Sequence, residues 1–271
     1  MRRIGVVACA TLLSLSLIAC GGQASSSASN DSSASQAQSS SQAGQSGQTA
    51  QADAKTFEGE WKLAAFIRDG ATVTGDFTDW FGTAKGNEVT INADGTGVVV
   101  AASTTDFTWK ATGDNVISIA NEYDPADTTG SLEDGMLTIK SGERPEQLVY
   151  TRDGVYPKTP SISFEKTGIP TADQLKGTWK YCALKNTAYE NFLAFGDAEG
   201  LASIGEFKSG ELTFNDDGTG SMLGYAMKWA ANIDGVTITI DETGKSVTVI
   251  QIENGIACES NVDGAIYAFA K

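Results

Sequence analysis

Histidine is absent from all 271 residues of this chain. That removes the commonest general base and the commonest metal ligand. Ser-His-Asp and Cys-His catalysis, and histidine-based zinc sites, are therefore excluded. Carboxylates and thiols remain. The acid pairs are Asp216 with Asp217 and Asp124 with Asp127. Asp216 and Asp217 stand beside Gly218, where Asp, Asn and Gly serve turn geometry. A calcium loop needs oxygen ligands at alternate positions and a distal Glu, and that pattern is missing. No catalytic residue, metal or cofactor is expected, and the chain reads as a non-enzyme. The thiols are Cys9, Cys20, Cys182 and Cys258.

Cys20 ends an export signal. Arg2 and Arg3 give a positive start, and Ile4 to Ile18 is almost wholly apolar. Such a run is shorter than the ~20 residues of a membrane-spanning helix. Leu17-Ile18-Ala19-Cys20 resembles the lipobox of bacterial lipoproteins. The resemblance implies removal of residues 1–19, a diacylglyceryl group on the Cys20 thiol, and anchoring to the cell membrane. Two acyl chains suffice for stable attachment.

Residues 20–54 are mostly Ser, Gln, Ala and Gly. They cannot bury enough apolar area to offset the entropy of ordering. A flexible tether is expected, with a reach of ~30 Å. Without Arg2 and Arg3, 17 Lys and Arg face 34 Asp and Glu, so the mature charge is −17. No basic stripe offers phosphates a partner, which argues against nucleic acid. Attachment to the membrane therefore falls to the lipid.

The folded remainder must position what is left, and it says one phrase twice. Gly59-Glu60-Trp61-Lys62 matches Gly177-Thr178-Trp179-Lys180. Asn92-Ala93-Asp94-Gly95-Thr96-Gly97 matches Asn215-Asp216-Asp217-Gly218-Thr219-Gly220. Trp109 matches Trp229, and Glu133-Asp134-Gly135 matches Glu253-Asn254-Gly255. Tyr150 with Arg152 matches Phe269 with Lys271. The separations are all about 120 residues, so two diverged copies of one unit are expected, over 55–153 and 175–271. Pro157, Pro160 and Pro170 mark a linker over 154–174, and Thr171 to Gln174 predicts a capping box.

Apolar residues alternate with polar ones, as in Val89 and Ile91, Phe107 and Trp109, or Val236, Ile238 and Ile240. That is the period of half-buried antiparallel strands. In the first copy strands are predicted near 58–67, 88–92, 96–102, 106–111, 115–119, 128–132, 136–140 and 146–152. The fold expected is all-β: two tandem small antiparallel meander barrels, each with a short helical crossover after the first strand. The helix is placed on the aromatics of 76–81 and of 189–195.

Gly-x-Trp on the first strand, the helical crossover, the eight-stranded meander and the closing cation resemble lipocalin-like domains of bacterial lipoproteins. The resemblance implies that Trp61 and Trp179 plug barrel floors, with Arg152 and Lys271 over their rings. It leaves two modes of action. One is a non-catalytic interaction or structural module of the cell envelope, facing a protein partner. The other is a carrier or sensor of a small apolar ligand inside one or both barrels. Bulky inward positions favour filled barrels and hence the first.

Cys182 and Cys258 are the thiols left to the mature chain beside Cys20. Both fall in the second copy, opposite Ala64 and Thr138 in the first. Paired gain in an exported domain suggests a disulfide. A plain meander places a strand between them, about 9.6 Å apart, beyond disulfide reach. Bond and free thiols both stay open.

Overall fold

The computed structural model describes residues 57–271 apart from 76, 78–86, 102, 122–127, 143–144, 187–190 and 262–263. Cys20, the signal and the tether lie outside the described residues, as do Asp124 and Asp127. The described fold is all-β and antiparallel. In the first half the strands are β1 Gly59–Arg68, β2 Ala71–Gly75, β3 Glu88–Ile91, β4 Thr96–Val100, β5 Thr104–Gly113, β6 Val116–Ala120, β7 Thr128–Glu133, β8 Met136–Lys140 and β9 Gln147–Thr151. Each of the eight predicted strands falls within about two residues of an observed one. The start of β1 pairs with β3, neighbours then pair in order to β9, and β9 returns to β1. Those pairings close an eight-stranded antiparallel barrel.

The second half repeats the order. A short helix, α1 Ala172–Leu175, carries the predicted capping box between Thr171 and Gln174. The strands β10 Gly177–Asn186, β11 Phe192–Gly196, β12 Glu211–Phe214, β13 Thr219–Met222, β14 Tyr225–Asn232, β15 Gly235–Ile240, β16 Ser246–Ile252, β17 Gly255–Ser260 and β18 Ala265–Ala270 follow. A helix, α2 Ala198–Ile204, intervenes after β11 and is capped by the Asp197 carboxylate. Here β10 pairs with β12 at its start and with β18 along its other edge.

Two expectations need correction. The aromatics of the second crossover do not form the helix. Phe192 to Gly196 is a strand, with Phe192 and Ala194 in one core and Leu193 and Phe195 against another. Both faces are covered, so the period is two, and the helix begins later. In the first crossover the expected helix over 76–81 lies, apart from Phe77, outside the described residues.

The second correction concerns how the copies meet. The latter part of β1 pairs with β2, and that of β10 with β11. Then β2 pairs with β11 over five residues, Val73 opposite Ala194. Strands of the two copies therefore share one sheet rather than standing apart. Buried apolar residues from both form a continuous cluster. The helix α2 seals this join: Ser203 donates to the Asp69 carboxylate at 3.1 Å, and buried Gly200 packs on the β1–β2 turn. A methyl group there would sit 2.1 Å from the Asp69 carbonyl oxygen.

Gly200→Ala separates helix propensity from this join. Propensity alone favours Ala by about 1 kcal/mol. The clash is with backbone, which yields poorly, and overpacking costs about 1–3 kcal/mol. Urea unfolding should therefore show a net loss of stability. A gain would contradict the close contact of α2 with the β1–β2 turn.

Candidate functional site

The repeated phrase builds a clamp at one end of each set of strands. Gly59 and Gly177 take φ of +108° and +103°, a region that side chains disfavour. That turn aims the next residue but one inward. Trp61 and Trp179 are buried. Each indole N–H donates to the carbonyl four residues earlier: Trp61 to Phe57 at 2.8 Å, Trp179 to Leu175 at 2.7 Å. Phe57 and Leu175 are themselves fully buried and complete the plug. Sequence reasoning missed these two. Their signal was an apolar residue two places ahead of each Gly-x-Trp.

The closing cations lie over the rings. Arg152 Cζ is 3.6 Å from the Trp61 ring centroid, and Lys271 Nζ is 4.5 Å from that of Trp179. The guanidinium also donates to the Glu60 carbonyl at 3.0 Å and the Glu58 carbonyl at 2.7 Å. Partial burial draws its pKa below the ordinary arginine value. Lys271 donates once, to the Gln174 carbonyl at 2.9 Å. Helix-end carbonyls have no partner within so short a helix, and Trp179 and Lys271 supply them. Arginine's fork ties two carbonyls where lysine ties one.

Asp217 of the second repeat and Asp94 at the matching turn of the first are turn devices. Asp94 accepts from the Thr96 hydroxyl at 2.6 Å and its N–H at 3.0 Å, and Asp217 does the same for Thr219. The threonine hydroxyl, then the backbone, holds each carboxyl below its usual pKa. Asp216 pairs with Lys176 at 3.0 Å. Each turn also positions the second tryptophan. Trp109 donates to the Asn92 carbonyl at 2.9 Å, and Trp229 to that of Thr219 at 3.0 Å. Among the described residues no group of three or more Cys, Asp or Glu could hold a metal ion.

Cys182 and Cys258 are both free, which is one of the two alternatives the sequence left open. The strand β18 lies between β10 and β17, and the thiols belong to opposite faces of the wall. Cys258 is wholly buried in the main core, while Cys182 packs outside with Ala183 and Ala268. Burial pushes both thiols up in pKa. The pairings also revise the alignment. Leu148 and Tyr267 are equivalent, so Ile139, not Thr138, matches Cys258. Cys258 therefore stands where the first repeat has a half-buried aliphatic residue packed against the core, and it acts as a small hydrophobe.

Two outcomes follow. Trp61→Ala or Trp179→Ala should cost about 3–5 kcal/mol in denaturant unfolding. Arg152→Met should cost about 1 kcal/mol, since its contacts are exposed. Equal small losses would contradict the burial of the indoles. For residues 55–271, an alkylating reagent should modify Cys182 before Cys258, and both once unfolded without reductant. A need for reductant would contradict free thiols.

Comparison with family models, curated proteins and solved structures returns no match for this chain.

Proposed function

We propose that this chain is a surface-anchored bacterial lipoprotein with two tandem lipocalin-like barrels, acting as a non-catalytic interaction or structural module of the cell envelope. Cys20 carries the lipid, residues 20–54 hold the folded part off the membrane, and no partner is nucleic acid. The observation that carries the module reading is the occupied interior. Trp61, Phe57 and Ile91 in the first repeat, and Tyr181, Phe269 and Met227 in the second, are fully buried. An eight-stranded barrel is just wide enough for such side chains or for one small ligand. Filled interiors leave the outer walls and loops as working surfaces.

The lipocalin-like description rests on the repeated clamp: Gly-x-Trp, an indole tied to a carbonyl, and a cation from the last strand's end. A carrier of a small apolar ligand would need space that these rings take. The non-catalytic reading draws on the lack of histidine and on the turn roles of Asp94 and Asp217. The lipoprotein reading draws on Leu17-Ile18-Ala19-Cys20 behind its apolar run.

Two measurements test the two parts. In a bacterial host the chain should take up radioactive palmitate and sediment with membranes, and Cys20→Ser should abolish both. Labelling that survives the substitution refutes the anchor. Native mass spectrometry of residues 55–271 should give the polypeptide mass alone. A stoichiometric co-purified lipid would overturn the module in favour of the carrier.

A further inference from the structure

One outer wall carries a longer apolar run in the second repeat than in the first, where Ala65, Met136 and Val149, with Ile67 and Tyr156 against them, make a smaller patch. Along β16, β17 and β18 it presents Ile250, Ile252, Ala257 and Ile266. Strand pairings place Ser131, Glu133, Thr138 and Gln147 at the equivalent positions of the first repeat. The polar set is what a solvent-facing wall ordinarily carries. The apolar set is covered by the chain's own residues 160–168. Ile162 and Phe164 pack on it, while Ser161, Ser163 and Glu165 between them point to solvent. Lys185 Nζ lies 5.8 Å over the Phe164 ring.

The backbone is read as well. Pairing of β15 with β16 ends at Val249. Beyond it the strap pairs with Gln251: Thr167 N–H donates to the Gln251 carbonyl at 2.8 Å, and Gln251 N–H to the Gly168 carbonyl at 3.0 Å. Alternate side chains on a wall plus main-chain bonds at a strand's free edge are how an extended peptide is recognised. A passive connection between two repeats requires neither the apolar wall nor the paired edge.

We propose that this wall is a docking site for an extended peptide with apolar side chains at alternate positions, filled in cis by residues 160–168 and open in trans to that same sequence when the strap leaves. Held at both ends, the strap acts at an effective concentration near the millimolar range, so it keeps the site closed. The proposal gives the interaction-module reading a site. It rests on that reading only for its use in the cell, and its test is independent of palmitate labelling and of co-purified lipid.

The probe is a fluorescent peptide of residues 159–169. The receptor is the folded chain, residues 55–271, carrying Ile162→Ser and Phe164→Ser to free the wall. The peptide should bind this variant and bind the unaltered protein about 100-fold more weakly, because the tethered strap competes. A peptide with the same two serines should bind neither. A folded variant that ignores the peptide, or equal binding by both proteins, overturns the proposal. Ile252→Glu supplies a second reading with the strap intact, since it installs the first repeat's residue. Hydrogen exchange at the Thr167 amide should then quicken about tenfold as the strap detaches. Unchanged exchange there likewise overturns the docking site.

Discussion

A ten-residue first strand cannot satisfy its edge against a four-residue neighbour, and the rest of the molecule depends on how that mismatch is met. In each half the start of the long strand pairs with the short β3 or β12, leaving its second part exposed on that side. Unpaired strand edges in an apolar setting are costly and sticky. The chain meets the need by folding back at once as β2, or by returning as β11, beside the vacant edge. That creates two new edges, and they pair with each other. The order β1–β2–β11–β10 is antiparallel throughout, so β1 and β10 run in opposite directions. The two tryptophan clamps therefore lie toward opposite ends of the shared sheet.

Within this frame the clamps are local and repeated. Each couples three parts of its copy: the residues before the first strand, the tryptophan on it, and the cation after the last. The seam of a closed meander lies between those first and last strands, so the cation ties the chain ends where the barrel closes. The copies solve the same problem with different chemistry. A guanidinium grips two carbonyls in the first, and a helix end offers one carbonyl to a lysine in the second. Divergence has been freer on the outside. The linker side of the second repeat is the more apolar of the two, and the proline-bearing segment lies down on it.

Strands, their order and the buried Gly-x-Trp tryptophans were legible because each rests on a short-range rule: alternation, turn residues at fixed offsets, and a tryptophan at a repeated place. The missed elements depend on distant partners. Ala71 to Gly75 follows Asp69-Gly70, a strong hairpin signal, with φ of +50° and +83°. The aromatics just beyond it suggested a helix instead. Nothing local says that β2 pairs with a strand about 120 residues away. The misplaced match of Thr138 with Cys258 came from aligning Gly135 with Gly255. The pairings make Glu133 with Met136 equivalent to Ile252 with Gly255, one residue off, and one residue exchanges the faces of a strand. The strap had a signal in Val247 to Ile252, apolar on both faces, which implies that both are covered.

The central claim is that the two repeats form one cooperative body, joined through β2 and β11, rather than two beads on a string. Native-state hydrogen exchange followed by mass spectrometry tests it most directly. If the claim holds, amides of β2 and β11 exchange only with the global unfolding of both repeats, at the protection of the barrel strands. Exchange of β2 and β11 at the rate of exposed loops, with each repeat opening by itself, would contradict it.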